Sequence, residues 1–462
     1  MNTTYNVKVW KTGTRKQARG ITHTVRWALD GKEWRQPFAT AALADSFRSE
    51  LVSATRHGEA FSLTTGRPVS HQSDSGTVSW YQFALQFTDA QWHRTSGNNR
   101  KNVAKALMTT TIALLRTPPP TAFKPVDVRT ALREFAFNTK RREETPPEVA
   151  AILKWIERNT LSMDAWEEPA KVEAVLNAVS SLLDGTPAAA SSAKRNRRIL
   201  NVAMEYAVKH RILRSNPLPK GRGTSPKTSS AVDKRALLNR GQAARLLGWV
   251  RLRPRGGQRL HAFFATMYYA GPRPEEAVAM VVHDVRLPDE DAEDQWGELL
   301  FHTAQPEVGK NWTNDGQIHE ERGLKGRAED DMRSVPCRPA LTKLLRAHIQ
   351  AEKLKPGDLL FPGEKGEMLA GSVIRRAWRS ARREVLDPQE CASPLGKRVY
   401  DLRHTCLTNW LNDGVPPAQV AEWAGNSVPV LLAIYARCIV GHLPDLKKRI
   451  EAGGDLPDLS ER

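Results

Sequence analysis

Cysteine is scarce in this chain of 462 residues: Cys337, Cys391, Cys406 and Cys438 are the four present, far apart and without a C-x-x-C pair. That argues against a disulfide framework and a structural zinc site, and predicts reduced, mostly buried thiols. Long apolar runs are missing too. Mean hydropathy is −0.50, and no stretch approaches the ~20 apolar residues of a membrane span. Met1 to Arg19 has neither the apolar core nor the small-residue cleavage pattern of a secretory signal. The chain is therefore expected in the cytoplasm, with no membrane partner. No Gly-rich phosphate loop is found, nor a carboxylate cluster able to hold two catalytic metal ions, so the expected chemistry uses no cofactor, no metal and no ATP. Acidic residues are the minority charge, 51 Asp plus Glu against 69 Lys plus Arg, for a formal charge of +18. An excess of that size favours a polyanionic partner.

The length suggests several domains at roughly 100 to 200 residues each. Residues 1–70 read as a small sheet plus one helix. Strand-like runs span residues 5–10 and 22–28, a turn falls at Asp30-Gly31, and a helix is expected over 40–55. Lys8, Lys11, Arg15, Lys16, Arg19 and Arg26 of this region are candidates to face phosphates or simply solvent. Residues 78–218 are helical in period, broken at Pro118-Pro119-Pro120, and read as an all-α domain. A basic linker rich in Gly, Ser, Thr and Pro covers 219–234. A third domain over 235–450 alternates helices with a short β-region at 297–303 and 333–337, and a tail follows over 451–462. The expected fold is multidomain and mainly α: a small α+β N-terminal domain, an all-α domain and a mixed α/β domain.

The positive charge is concentrated. From Ala188 to Leu260 there are 18 Lys plus Arg against Glu205 and Asp233, a net of +16. Within it, a helix expected over 193–211 carries Ile199, Val202, Ala203, Tyr206 and Ala207 as its apolar stripe and Lys194, Arg195, Arg197 and Arg198 at its start. Cations in a first helical turn oppose the dipole and call for an anionic partner. A second helix, 372–385, is expected to turn Val373, Ala377, Trp378, Ala381 and Val385 inward. Arg375, Arg376, Arg379, Arg382 and Arg383 gather largely opposite, and Arg375, Arg379 and Arg382 are the candidates to track phosphates.

Three segments of the third domain carry the chemistry. In Gly271-Pro272-Arg273-Pro274-Glu275-Glu276, the Gly-Pro turn and a proline suited to the first helical position put Arg273 at a helix start. In Tyr400-Asp401-Leu402-Arg403-His404, spacing of three brings Tyr400 and Arg403 to one helix face. The same helix, the Gly414-Val415-Pro416-Pro417 turn and the helix after it also imitate a helix-turn-helix over 401–424. The third segment is Gly425-Asn426-Ser427, followed nine positions after Asn426 by Tyr435. Each has an ordinary alternative: a helix cap beside a surface arginine, a DNA-reading helix pair, a core tyrosine.

Taken jointly, the R-x-x-E opening, the Y-x-x-R-H box, the Gly-Asn-Ser turn and the terminal tyrosine resemble the catalytic domain of tyrosine recombinases, the phage-integrase family. The resemblance covers 235–450 by motif. More weakly, it makes 78–218 similar to that family's core-DNA-binding domain and 1–70 similar to its arm-site-binding domain. It implies that Arg273 and Arg403 hold the scissile phosphate, that Lys325 is the β-hairpin lysine and general acid, and that Tyr435 is the nucleophile. Glu276 and His404 then lie just behind, Glu276 as acceptor for Arg273 and His404 as a buried neighbour of Arg403 that hydrogen bonding could let titrate near neutrality. It implies double-stranded DNA attachment sites as partners, a tetramer assembled on DNA, and accessory DNA-bending or directionality proteins; the segment 439–462 is a candidate contact to a neighbouring protomer. Two positions depart from the family pattern: Tyr400 and Asn426 stand where histidines are usual, and neither phenol nor amide is a base near neutral pH. A non-cleaving DNA-binding protein and a type IB topoisomerase-like enzyme are the rival readings.

Overall fold

The computed structural model describes residues 3–17, 20–63, 66–68, 78–219, 231–289, 295–326, 331–438, 447 and 451. The chain divides into two compact units, Met1–Lys227 and Thr228–Arg462. Most of the expected linker, Arg19 and most of the residues after Cys438 lie outside the described residues. The described structure is mainly helical with some sheet.

The first unit opens with strands β1 (Thr3–Thr4), β2 (Val7–Val9), β3 (Gly13–Gln17), β4 (Gly20–Leu29) and β5 (Lys32–Phe38), then helix α1 (Ala41–Arg56) and strand β6 (Phe61–Ser62). β4 is central, pairing antiparallel with β2 and β3 along one edge and with β5 along the other. Its period of two turns Val25, Trp27 and Leu29 inward, where Ala44, Leu51 and Ala54 of α1 cover them. The β4–β5 hairpin turns through Asp30 and Gly31, both with positive φ, +47° and +84°, the mirror-image turn that suits strand twist. On the sheet, the Lys8 ammonium and the Arg26 guanidinium both lie against the Trp10 ring, at 5.9 and 5.7 Å.

Six helices follow: α2 (Trp80–Trp92), α3 (Gly97–Ala113), α4 (Pro125–Thr130), α5 (Pro147–Asn159), α6 (Pro169–Val179) and α7 (Ala190–Lys209). Ser79 and Gln82 form a reciprocal cap at the start of α2. Trp80, Phe83, Phe87 and Trp166 fill the core, and the Trp80 indole donates to Thr111 Oγ1 at 2.9 Å. α7 begins three residues earlier than its sequence pattern predicts. Lys194 and Arg195 therefore sit in its second turn, where the dipole argument for an anion loses its force. Its buried stripe is Ile199, Leu200, Ala203, Met204 and Ala207, and Val202, expected inside, is 44% exposed.

The second unit contains α8 (Arg240–Arg251), α9 (Gly257–Tyr269), α10 (Pro274–Ala277), β7 (Val285–Arg286), β8 (Gly297–Phe301), β9 (Thr303–Ala304), β10 (Arg322–Gly323) and β11 (Arg333–Cys337). It continues with α11 (Pro339–Ala351), α12 (Gly371–Val385), α13 (Pro388–Ala392), α14 (Tyr400–Asn412), α15 (Pro417–Ala424) and α16 (Val428–Tyr435). β8 lies between β11 and β7 in an antiparallel sheet, and β9 pairs with β10. Phe263 and Phe264 of α9 pack on Phe361 and Trp378 at the centre of the core. Val232, at the end of the expected linker, donates its N–H to the Ile434 carbonyl at 2.9 Å, so this end of the linker is tied into the unit.

The orientation of α12 corrects the sequence reading. Its buried residues are Ile374, Ala377, Trp378, Ala381 and Arg382, while Val373 is 41% exposed. The Arg382 guanidinium is 6% exposed and donates to the carbonyls of Leu395, Cys391 and Ser393, so it pins the following loop instead of facing solvent with Arg375 and Arg379. Among the described residues, no helix is long and apolar enough to cross a membrane and no group of His, Cys, Asp and Glu is arranged to hold a metal ion.

Candidate active site

Arg273 is placed by the turn that precedes it. Gly271 has φ +61°, and a Cβ there would meet Leu407 Cδ1 at 2.8 Å, so the turn after α9 needs glycine. Arg273 then caps α10, with Pro274 at the first helical position. α10 is a single turn, and its contribution is Glu276. That carboxylate accepts the Arg273 N–H at 2.8 Å and the Arg273 guanidinium at 2.6 Å. It also accepts both prongs of Arg333 from β11, at 3.0 and 2.6 Å. Glu276 and Arg333 are each 1% exposed. Burial alone would raise the Glu276 pKa; its hydrogen bonds and charge contact with Arg333, aided by Arg273 and Arg403, bring it down to about 2.

Arg403 enters from the first turn of α14. It too is 1% exposed, and donates to the carbonyls of Gly271 at 2.5 Å and Ala424 at 2.6 Å. Arg273 completes its contacts on the same strip of chain, donating to the Gly425 carbonyl at 2.9 Å and Asn426 Oδ1 at 3.2 Å. Gly425 ends α15 with φ +62°. A Cβ there would lie 2.6 Å from Arg333 Nη1 and 3.3 Å from Arg273 Nη1, so the Gly-Asn-Ser turn admits the arginines because its first residue has no side chain. Two guanidiniums thus share one carboxylate, and a third, Arg403, is held by backbone carbonyls beside them. The remaining positive charge, held in place before any ligand arrives, is suited to an anion whose charge is spread over several oxygens.

Tyr435 ends α16, with its ring 2% exposed. Its Oη lies 2.9 Å from His404 Nδ1. Burial pushes the phenol well above its ordinary pKa, and the charges of Arg403 and Arg273 pull the other way, so the hydroxyl and both arginines share one electrostatic neighbourhood. Tyr400, half-buried one turn before His404, meets the imidazole edge-on at 4.9 Å between ring centroids. Burial lowers the His404 pKa to about 4. The expectation that His404 titrates near neutrality is corrected by that burial.

The structure joins Arg273 to Glu276 and Asn426 by direct hydrogen bonds and holds Arg403 on the carbonyls of Gly271 and Ala424, with Tyr400, His404 and Tyr435 beside them. Lys325 is not among these contacts: it is exposed in the turn just after β10. Lys194, Arg195 and Arg198 are exposed on α7, and Arg197 donates to the Pro219 carbonyl at 2.9 Å. Arg375 and Arg379 are exposed on α12, Arg375 4.0 Å from Glu307. Arg333 is the residue that sequence reasoning missed as a site component. The signal was the alternation of β11, which sends Arg333, Val335 and Cys337 to the buried face together. The helix-turn-helix look-alike is also spoken for. α14 buries most of its length, and the end of α15 supplies the carbonyl that Arg403 holds.

No family model and no curated protein matches this chain. Solved structures similar to it include a Tn1549 transposon integrase in complex with transposon right end DNA, at 13% identity and TM-score 0.48, covering 81% of this chain and 99% of that one. The XerH site-specific recombinase bound to difH substrate is similar at 15% identity and TM-score 0.43, over 77% of this chain and 96% of that one. A lambda integrase dimer bound to a COC′ core site gives 13% identity and TM-score 0.35, over 56% of this chain and 78% of that one. All three are tyrosine recombinases. The overlap of folds is partial in each case, and the functional reading rests on the side chains of this chain.

Proposed function

We propose that this chain is a tyrosine recombinase, a site-specific integrase of a phage or integrative element that cleaves and rejoins DNA strands through a 3′-phosphotyrosine. The observation that carries this reading is the placement of a buried tyrosine hydroxyl in the field of two guanidiniums, Arg273 and Arg403, that are already fixed by Glu276, Gly425 and the carbonyls around them. Attack by a phenol on a phosphodiester builds negative charge on the nonbridging oxygens, and donors fixed in advance are often the largest catalytic term for such a step. Tyr435 Oη forms the new bond to phosphorus as the bond to the 5′-oxygen breaks. The leaving oxygen takes a proton from Lys325, exposed in the turn after β10. The ester to tyrosine conserves the bond energy, so religation needs no ATP.

In this reading the partners are double-stranded attachment sites, four protomers assemble on two paired sites, and accessory DNA-bending or directionality proteins set the outcome. Lys194, Arg195, Arg197 and Arg198 on α7, and Arg375 and Arg379 on α12, track the backbone. Asn426, whose amide oxygen faces Arg273, orients that arginine where a histidine is usual in the family. The test is incubation with a nicked candidate site, followed by denaturing electrophoresis. A covalent protein–DNA adduct mapped to Tyr435 supports the reading. A sequence-specific complex with no adduct leaves only DNA binding, and adduct formation on any duplex indicates topoisomerase-like activity.

A further inference from the structure

Attack by Tyr435 requires that its hydroxyl proton go somewhere, and burial makes the free phenolate costly. The usual histidines of the family's boxes are absent, since Tyr400 and Asn426 hold those positions. Two other titratable groups of α14 are unsuited. Asp401 is occupied by the N–H and guanidinium of Arg398, at 2.8, 3.1 and 2.8 Å. Cys406 is a fully buried thiol whose pKa burial raises far above neutrality. His404 Nδ1, at 2.9 Å, lies within the reach that general-base catalysis demands.

We propose, on the recombinase reading above, that His404 is a catalytic residue of this chain: its Nδ1 accepts the Tyr435 proton during cleavage and returns it during religation. The spacing explains how: Tyr400 and His404 are four positions apart on α14, so the phenol ring of Tyr400 backs the imidazole while the Nδ1 edge of His404 faces Tyr435 of α16. In the cleavage step the Oη–H bond breaks and its proton goes to Nδ1, and the freed electron pair forms the Oη–P bond. The P–O5′ bond breaks, and the leaving oxygen is protonated by the general acid. Religation runs in reverse, the phenolate regaining its proton from the imidazolium.

The charged and titratable groups facing the ring are Tyr435 from α16, Tyr400, Asp401 and Arg403 from its own helix, and Arg398 just before it. Burial, Arg398 and Arg403 disfavour the imidazolium, and Asp401 favours it. The free ring is therefore neutral and able to accept at physiological pH. A scissile phosphate docked on Arg273 and Arg403 brings negative charge to the same place and stabilises the imidazolium when it forms.

The experiment is single-turnover adduct formation on a nicked site, with wild type, His404→Ala and His404→Gln, across pH 5.5 to 9 and with or without added imidazole. His404→Ala is expected to lower the rate on the order of 100- to 10,000-fold, with site affinity within a few fold. Imidazole should recover part of that loss, following its neutral fraction. His404→Gln should bind DNA and stay slow, because an amide keeps a hydrogen bond to the hydroxyl without taking its proton. Either variant within threefold of wild type across the pH range overturns the proposal, as does full recovery in the Gln variant, which would make His404 a positioning residue. Failure of wild type itself to form an adduct would instead overturn the recombinase reading on which the proposal stands.

Discussion

The arginines of the second unit's centre and those of α7 in the first unit are chemically the same and physically opposite. Arg273, Arg333 and Arg403 are 8%, 1% and 1% exposed and anchored to a carboxylate or to backbone carbonyls. Arg195 and Arg198 stand exposed on α7. A buried guanidinium has lost its water and depends on every partner it retains, so removing one of them disturbs the whole cluster. An exposed one contributes a share of a diffuse field, and its removal is felt as one phosphate among many. The first arrangement is suited to fixing one anionic group; the second, on the proposed reading, would hold a long polyanion without fixing any one atom of it.

The largest expected effect belongs to the Tyr435 hydroxyl, which lies in the field of Arg403 and Arg273. Tyr435→Phe removes one buried atom and should abolish adduct formation while site binding stays within a few fold, read by denaturing gel and by filter binding. Adduct formation by the Phe variant would move the nucleophile elsewhere, Tyr400 being the next candidate. Arg273→Ala and Arg403→Ala should each slow cleavage by a factor on the order of 100 or more, as removal of a fixed oxyanion donor does. Equal losses of binding and cleavage would assign these arginines to docking alone.

Glu276→Gln tests the buried cluster directly. It leaves the guanidiniums of Arg273 and Arg333 without their shared countercharge, and the expected loss is about 3 to 5 kcal/mol of stability by urea denaturation. Arg195→Ala, the exposed control, should stay within about 0.5 kcal/mol of wild type. A small effect at Glu276 would mean that the cluster relaxes and is not preorganised.

Acid should reach the second unit through its histidines. His261, His319, His348 and His404 are all held below their ordinary pKa with burial as the leading cause, His404 at about 4. These groups bind protons more readily when unfolded, so their share of stability is full above about pH 6.5 and falls as pH drops toward 4. Glu276, held at about 2, adds a further loss between its ordinary value of 4.5 and 2. Urea midpoints measured between pH 7.5 and 4 should therefore fall for this unit, and a flat profile would contradict the burial of these rings.

The smallest effect per residue belongs to α7. Replacing Arg195, Arg197 and Arg198 together with Ala should weaken specific and random DNA alike and reduce the log–log salt slope by about 0.9 for each phosphate no longer neutralised. Because Arg197 spends part of its guanidinium on the Pro219 carbonyl, a change equivalent to about two phosphates is expected, not three. An unchanged slope would place this face away from DNA.

What the sequence determined by itself is the chemistry that fits within a helical turn or a strand. Arg273 and Glu276 are three residues apart around a Gly-Pro turn, Tyr400 and His404 are four apart on one helix, and Gly425 marks a left-handed turn; each relation is set by local backbone geometry. The alternation of β4 and the Asp30-Gly31 turn were legible for the same reason. What only the tertiary structure decided depends on separation and rotation. Arg333 reaches Glu276 across 57 residues and His404 reaches Tyr435 across 31, contacts that no spacing rule encodes. α12 and α7 had readable helical periods, yet both turned to bury residues other than those expected. A period fixes the width of an apolar stripe but not which flanking residue fills the gap beneath it, and there Arg382 found three carbonyls waiting while Val373 did not find a core.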